Sequence, residues 1–428
     1  MEIKHILGLV TLLLFFVYFL AGNLSRKSYL LFILYFLPFL DLSVTSEEFG
    51  SITIFDALSY FILLFLIKDF FNSKYNQFYF FLFSSLVLLM FFGCVYSDFI
   101  KNSFFNLLKF ISVFIYAKLL IDEFFSNKKF FGLAIGALKF SCLFSIVFLV
   151  IQLIIGLKFT FYTDLNPNIF DSYVIRYPSF FQDPQMFAQF LSMTSFLFLV
   201  KGEEHSRIGL KNLLGFVLVV IVLFFTGGRS GLLGLCAGLL LILFFSQNRF
   251  RFLIIGCGIL GYFVVSNFPE YFSMLNRQEG ISDAYEVRNA IWKEAYSVFA
   301  NRPFLGIGIG NYLNHIMKYT QGGYYVIDGE IVYYGAESGY LKMLSEVGMM
   351  GFVIVFSFII RPLISGIRMC FKRINASTIT FLIASILSWL IAFISLNTLS
   401  DKRTQIVLST VVCLLIVSIK KAKQVNEY

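Results

Sequence analysis

The sequence predicts an all-α fold, a polytopic transmembrane helical bundle of about 12 to 14 spans with one large extracytoplasmic loop that carries short helices. Of the 428 residues, 58% are apolar and only 14% are charged, and the mean hydropathy is +0.82. A soluble chain of this length could not cover its apolar surface with so few polar residues. The apolar runs are continuous and do not alternate with period two, which favours helices over a membrane β-barrel.

A hydrocarbon core about 30 Å thick needs roughly 17–25 apolar residues per helix. Runs of about this length divide most of the chain, and the residues between them are connections. The predicted spans are residues 6–22, 29–44, 52–67, 78–96, 104–121, 130–157, 185–200, 210–226, 231–245, 250–267, 339–360, 377–396 and 405–419. Residues 1–22 are interpreted as a first span because they are bulky around Phe15–Phe19 and lack the small-residue cleavage pattern of a secretory signal.

The orientation follows from Lys and Arg, which concentrate in the connections on one side, and that side is predicted to be cytoplasmic. The opposite side receives residues 41–48, 158–184, 227–230 and 268–336 and is predicted to be extracytoplasmic. The odd number of spans places the N-terminus there as well. Lys402 and Arg403 also fall on that side, against the rule.

The net charge of +9 and the six cysteines raise the questions of a nucleic-acid partner and of a disulfide or metal site. The basic cytoplasmic connections account for the charge, so no nucleic-acid partner is predicted. The cysteines form no CxxC or His/Cys cluster, so we predict neither disulfides nor a metal site, and no cofactor.

The whole chain, residues 1–428, is predicted to be a single integral membrane domain, and residues 268–336, the outer loop, are predicted to form a small lid within it. Apolar residues at helical spacing predict an amphipathic helix over residues 284–300, with Val287, Ile291, Ala295 and Val298 facing the bundle. The glycine-rich run Gly306–Gly310 either brings backbone N–H groups close to an anion or forms a flexible turn.

Arginines on the outer side suggest a polyphosphate ligand. Arg229 lies in a Gly-Arg-Ser-Gly turn between two apolar helices, Arg288 lies in the outer loop, and Arg176 precedes a span. Each is also compatible with a plain role, a snorkelling side chain at Arg229 and a solvated one at Arg288 or Arg176. Guanidinium groups keep their charge and pair bidentately with phosphate oxygens, so several around one outer cavity would suit a lipid diphosphate.

Several motifs follow one another in a particular order along the chain. They are residues 176–184, Gly228-Arg229-Ser230-Gly231, Arg288 with Trp292, the run from Asn301 to Gly308, the run from Glu337 to Leu341, and Glu346-Val347-Gly348. This order, over about residues 170–360, resembles the O-antigen ligase and O-antigen polymerase superfamily.

The resemblance implies a bacterial inner-membrane glycosyltransferase that uses undecaprenyl-diphosphate-linked oligosaccharides at the periplasmic face without a metal. Arg229 and Arg288 match the arginines that hold the diphosphate, and with Glu337 they form the implied catalytic set. Ligases of the superfamily usually have His where this chain has Glu337, whereas Glu is commoner among polysaccharide polymerases. A glutamate with a reference pKa of about 4.3 is ionised and can accept a hydroxyl proton. Glu337 is equally placed to interact favourably with the dipole of the following helix.

The remaining candidates are residues for substrate binding, namely Arg176, Arg302, Gln182, Asp183 and Tyr340, and a rival base, His315. The predicted partners are the lipid-linked oligosaccharides, membrane lipids and a chain-length regulator protein. Three alternatives to a polymerase stay open: an O-antigen ligase that transfers polymer to lipid A core, a protein O-oligosaccharyltransferase, and a lipid-linked oligosaccharide flippase. A flippase would be expected to show internal helix repeats and charges within spans.

Overall fold

The structure is a computed structural model. It describes residues 3–21, 25–44, 51–72, 77–157, 159–160, 170–171, 174–200, 209–245, 251, 255, 258, 266, 281–319, 324–327, 330–333, 335–372 and 376–426. The described helices are α1 (Ile3–Ala21), α2 (Arg26–Tyr35), α3 (Ile54–Asn72), α4 (Gln77–Val95), α5 (Ile100–Ser126), α6 (Phe130–Ile155), α7 (Pro184–Ser195), α8 (Leu210–Phe225), α9 (Arg229–Phe245), α10 (Ile281–Asn301), α11 (Tyr312–Tyr319), α12 (Gly339–Phe371), α13 (Ala376–Ala392) and α14 (Lys402–Asn426). Short 3₁₀ turns cover Leu37–Phe39, Phe196–Leu199 and Thr398–Ser400. Two small antiparallel hairpins pair β1 (Phe170–Asp171) with β2 (Val174–Ile175) and β3 (Tyr324–Ile327) with β4 (Glu330–Tyr333).

The prediction of an all-α polytopic membrane bundle is confirmed. Every predicted span corresponds to a helix except residues 250–267, which lie outside the described residues apart from four isolated positions. Within the described part, five helices are long and apolar enough to cross a membrane, namely Phe78–Val95, Ile100–Ser126, Phe130–Ile155, Gly339–Phe371 and Lys402–Gln424. Shorter apolar helices include Leu210–Phe225 and Arg229–Phe245.

Helices α9 and α13 pack closely because α9 presents glycines to its neighbour. A Cβ atom at Gly234 would collide with the carbonyl oxygen of Ser388, and one at Gly238 would collide with the ring of Phe196 and lie 3.0 Å from the carbonyl oxygen of Ala384. Small residues at helix interfaces allow this backbone approach in membrane proteins. The two pairs of contacts also show that α9 and α13 are antiparallel.

Helix α12 is broken at Gly348, whose φ of 67° and ψ of −179° are not helical. The break interrupts the helical hydrogen-bond ladder, and the outer loop replaces the missing bonds. Ile307 N–H donates to Ser345 O (2.9 Å) and Gly308 N–H to Glu346 O (3.0 Å). In the other direction, Met349 N–H donates to Pro303 O (2.7 Å). The glycine-rich run is therefore a strap bonded to α12. The N–H groups of Ile307 and Gly308 are used in these bonds, so they neither bind an anion nor belong to a flexible turn.

The positive charges at the start of α14 are neutralised inside the bundle. Lys402 Nζ lies 2.8 Å from Asp56 Oδ1. Arg403 donates from Nε to both Asp401 oxygens (3.0 and 3.2 Å), and its Nη2 lies 3.3 Å from Asp41 Oδ2. Buried cations are tolerated when carboxylates pair with them. The two residues that contradict the charge rule are therefore consistent with the predicted orientation.

We call the end of the bundle that carries residues 41, 97–99, 229, 337 and 401 the outer end.

Candidate functional site

Glu337 lies in the turn that begins α12 at the outer end. Ser338 is the N-cap of α12, and its side chain accepts a hydrogen bond from Leu341 N–H. Glu337 therefore precedes the cap, and its φ of 42° places it in the left-handed region that few non-glycine residues adopt. Such conformations persist where the surroundings hold them, often at functional sites.

Two residues of α10 hold Glu337. Arg288 Nε lies 3.2 Å from Glu337 Oε2, and Trp292 Nε1–H donates to the Glu337 carbonyl oxygen (3.4 Å). The ion pair is open to solvent, since the Arg288 and Glu337 side chains are 48% and 33% exposed. The backbone of Glu337 is fixed, and its carboxylate and the guanidinium remain accessible to a ligand.

The predicted amphipathic helix of the outer loop is confirmed as part of α10. Ile291, Ala295 and Val298 are buried, and Ser345 Oγ of α12 donates to Ala295 O (2.9 Å). Val287 is the exception: the prediction that it faces the bundle is wrong, because its side chain is 46% exposed. Its neighbours in the chain, Glu286 and Arg288, are also exposed.

Arg229 is the first residue of α9, and its side chain is exposed. The turn before it is held by Arg176, which is buried and donates from Nε to Thr226 O (3.1 Å) and from Nη2 to Gly227 O (3.3 Å). Gly227 has a φ of 61°, and a Cβ there would lie 2.9 Å from Arg176 Nε. The structure thus brings Arg176 and the Arg229 turn together, with Arg176 beneath the turn.

Arg229 and Glu337 lie at the same level of the bundle. Because α9 and α13 are antiparallel, with Gly234 against Ser388, the start of α9 is level with the residues that follow α13. There Phe393 O accepts a hydrogen bond from Gly339 N–H (3.0 Å), two residues after Glu337. The three residues implied as catalytic therefore all lie at the outer end.

The other predicted substrate-binding residues have local partners. Arg302 donates from Nη1 to Tyr96 O (2.9 Å), and its Nη2 contacts both Asp98 oxygens (3.2 Å each). Tyr340 donates its hydroxyl to Leu390 O (2.8 Å). Asp183 caps α7 by accepting from Gln185 N–H (2.7 Å), and Gln182 is exposed beside it. These contacts fasten the outer end, and Gln182 is the member of the set that faces solvent.

The rival base, His315, is buried against the bundle on α11. Burial lowers its pKa below the ordinary value of 6.5, and the nearby cations Arg302 and Lys318 lower it further, against a smaller raising effect of Asp98. The imidazole ring lies 4.8 Å from the Tyr319 ring. His315 is thus neutral at pH 7 and packed in the base of the outer loop.

A hydrogen-bonded polar network below His315 was not predicted from the sequence. Asn311 Nδ2 donates to Ser97 Oγ (2.7 Å) and Ser103 Oγ (2.6 Å), and Asn102 Nδ2 donates to Gly310 O (2.9 Å). The network joins the strap to the start of α5. A signal was present in the sequence: Ser97, Asn102 and Ser103 are polar residues flanking an apolar run.

A cavity of about 500 Å³ lies between α4, α5, α12 and α14. Its wall is mostly aromatic and aliphatic. The charged residues that line it are Lys109, Lys118, Lys342, Lys402, Asp41 and Glu346. The cavity could not be predicted from the sequence, because α12 and α14 are distant in the chain from α4 and α5.

Comparison with known proteins identifies the region that contains this site. Residues 214–356 match the O-antigen ligase family. No curated protein matches the chain. The predicted resemblance to the O-antigen polymerase and ligase superfamily is confirmed over this range, which includes Arg229, Arg288, Glu337 and the strap.

The O-antigen ligase match extends from α8 to the first half of α12, and it therefore covers every residue of the implied catalytic set. Together with the apolar helices it indicates a multi-pass membrane protein. The family points to a glycosyltransferase-like function of the O-antigen ligase or polymerase type.

Proposed function

We propose that the protein is a polysaccharide polymerase of the bacterial inner membrane that joins undecaprenyl-diphosphate-linked repeat units of O-antigen or a related surface polysaccharide. The observation that carries the proposal is the accessible pair of Arg288 and Glu337, 3.2 Å apart, within the region that matches the O-antigen ligase family. A cation for a leaving diphosphate and a carboxylate for an incoming hydroxyl are the two groups such a transfer needs.

The site is proposed to face the periplasm, where lipid-linked repeats are polymerised. The positive-inside rule supports this orientation, and the pairing of Lys402 with Asp56 removes its main exception. Residues 1–428 form one membrane domain in this proposal, and residues 268–336 are its outer loop.

In the proposed reaction the diphosphate of the donor, which carries the growing glycan, binds Arg229 and Arg288. Arg288 then exchanges its bond to Glu337 for phosphate oxygens, which frees the Glu337 carboxylate as a proton acceptor. A hydroxyl oxygen of the acceptor repeat attacks the anomeric carbon and forms the new C–O bond as its proton passes to Glu337. The bond between the anomeric carbon and the diphosphate oxygen breaks, and its electron pair leaves with the lipid diphosphate.

The chemistry follows from the charges of these side chains. The departing diphosphate gains negative charge, which the guanidinium groups of Arg229 and Arg288 stabilise at fixed positions. A single displacement of this kind inverts the anomeric centre. Arg176 acts in this proposal by positioning the Arg229 turn, and Arg302, Asp183 and Tyr340 act by fastening the outer end.

The test is the glycan ladder on lipopolysaccharide or capsule in a deletion strain complemented with Arg229→Ala, Arg288→Ala or Glu337→Gln. We expect the deletion strain and all three variants to show core capped by a single repeat. Two exposed residues of α10 provide matched controls: Lys293→Ala removes a cation and Glu286→Gln a carboxylate, and both should restore the full ladder. Immunoblotting of membranes checks expression. Full rescue by the three site variants would contradict the site assignment.

A ligase that transfers polymer to lipid A core, or to a protein acceptor, is the second candidate, and the description of the matching family favours it. The same experiment separates the two activities. Loss of a ligase leaves long polymer on its lipid carrier and core without repeats, whereas loss of a polymerase leaves single repeats on the core. Co-purification with a chain-length regulator protein would further support the polymerase.

A further inference from the structure

We propose that the cavity between α4, α5, α12 and α14 binds the second lipid-linked substrate, the acceptor, with its isoprenoid chain along the cavity and its diphosphate at Lys109 and Lys342. This inference rests on the proposed function, since only a polymerase takes two lipid diphosphates of the same kind. It adds a site of its own, distinct from the arginine pair.

The cavity has the length and lining that an isoprenoid chain needs. Along α5 its wall extends from Asn106 to Ile121, which at about 1.5 Å per residue is roughly 22 Å, most of the thickness of a hydrocarbon core. Phe83, Phe114 and Phe358 are among the residues that line it. Phe83 contacts both Phe114 and Phe358, so the rings form a continuous apolar wall against which a branched, flexible hydrocarbon chain can pack.

The outer end of the cavity carries charges of both signs, since the lining includes three lysines and two carboxylates, namely Lys109, Lys342, Lys402, Asp41 and Glu346. The Asp41 carboxylate is paired, because Arg403 Nη2 lies 3.3 Å from Asp41 Oδ2. Lys402 is paired with Asp56 (2.8 Å), and Lys342 Nζ lies 3.9 Å from Glu346 Oε1. Lys109 differs: its Nζ donates to Ser51 Oγ (3.0 Å), and no carboxylate among the described residues lies within 4.0 Å of it.

Lys109 and Lys402 are also close neighbours, because Lys402 Nζ donates to Lys109 O (2.6 Å). Cationic groups inside a membrane protein are costly unless an anion pairs with them, and those that remain mark ligand paths. In this inference a diphosphate pairs with Lys109, which has no carboxylate within ion-pair distance among the described residues.

The position of Glu337 explains why this second site would hold the acceptor. Neither Arg229 nor Arg288 is among the described residues that line the cavity. Lys342 lies in the first turn of α12, five residues after Glu337 in the sequence. In this inference the Glu337 carboxylate takes a proton from a sugar hydroxyl of the acceptor, which approaches from the cavity side.

Native mass spectrometry of the purified full-length protein with undecaprenyl diphosphate tests the inference. Wild type should bind two molecules. Lys109→Met removes a cation proposed to hold the diphosphate, and Ala117→Phe independently fills the middle of the cavity. Each should weaken one binding event about tenfold or more, the effect expected for a lost charged hydrogen bond or a blocked channel, and should leave the other unchanged. Lys101→Met, on the exposed face of α5, is the matched control and should bind as wild type does.

The outcomes distinguish this inference from the proposed function. A single bound molecule that Arg288→Ala removes, but Lys109→Met and Ala117→Phe do not, overturns the cavity and leaves the donor site intact. A single molecule lost only in the two cavity variants supports the cavity and overturns the donor assignment. Equal binding of undecaprenol overturns the role of the lysines, and displacement by phosphatidylglycerol at equal concentration shows a phospholipid site instead.

Discussion

Substitution of Lys402 by Met should destabilise the protein by about 3 kcal/mol, because it leaves a buried carboxylate without its cation. The two side chains are 5% and 3% exposed, and Lys402 Nζ lies 2.8 Å from Asp56 Oδ1. Breaking a buried ion pair by removing one partner costs about 3–5 kcal/mol. We expect the lower end of this range because Asp56 keeps two hydroxyl donors, Ser112 Oγ (2.5 Å) and Thr53 Oγ1 (2.8 Å).

The companion variant Asp56→Asn together with Lys402→Met tests whether the loss comes from the unpaired charge. Neutralising both partners removes the buried charge as well as the attraction, so the double variant should return to within about 1 kcal/mol of wild type. The single and double variants together form a double-mutant cycle. The double variant should lose less unfolding free energy than the sum of the losses in the two single variants.

The free energy of unfolding can be measured by titrating detergent micelles with sodium dodecyl sulfate and recording circular dichroism. Lys101→Met, which removes an exposed lysine from α5, should change it by less than about 0.5 kcal/mol. The reasoning is refuted if Lys402→Met costs no more than this control, or if the double variant is as unstable as the sum of its parts.

Three further predictions concern the outer end. Gly348→Ala should cost at least about 2 kcal/mol in the same titration, because φ is 67° and the new Cβ would collide with Phe304 O. The control Gly136→Ala meets nothing within 4 Å and should be neutral or stabilising. Equal effects of the two substitutions would contradict the role of the break in α12. Arg176→Met removes the donors beneath the Arg229 turn and should reduce the amount of long polymer in the glycan ladder at least about tenfold at normal expression. A wild-type amount of long polymer would show that the turn needs no support. The pKa of His315 is below 6.5 in the folded protein, so the unfolded chain binds the proton more readily. The contribution of neutral His315 to the free energy of unfolding is therefore present above pH 6.5 and is lost as pH falls below it. Limited proteolysis of the outer loop should accelerate between pH 7.5 and 5.5, and His315→Gln should remove that dependence; a dependence that persists in this variant assigns it to another group.

The helices could be predicted from the sequence because they depend on local order, and the implied catalytic set, which stays a prediction, was likewise named from local motifs. Apolar runs fix where the spans lie, and the buried positions of α10 follow from helical spacing at Ile291, Ala295 and Val298. Arg229, Arg288 and Glu337 each lie in a short motif that can be located in the sequence. None of these inferences requires knowing which helices are neighbours.

The contacts that the sequence did not reveal all join distant parts of the chain. Asp56 and Lys402 are separated by most of the sequence, so nothing local indicates that one neutralises the other. Arg176 is a typical ligand-binding residue by composition, yet it donates to backbone carbonyls of a turn that begins far along the chain. The role of the strap depends on a helix break at Gly348, and a single glycine in an apolar helix does not predict one.

The hydrogen bonds exchanged between the strap and α12 restrict how substrates can reach the site. Raising the outer loop away from the bundle would break the bonds from Ile307 and Gly308 to α12 and the bond from Met349 to Pro303, leaving donors and acceptors without partners. Each such group costs about 1–3 kcal/mol when it stays buried. In the proposed function, a lipid substrate therefore reaches the site more easily from the side, between helices and within the plane of the bilayer, while the strap keeps its bonds to α12. Substrate entry would then depend on the spacing between helices and not on an opening of the strap.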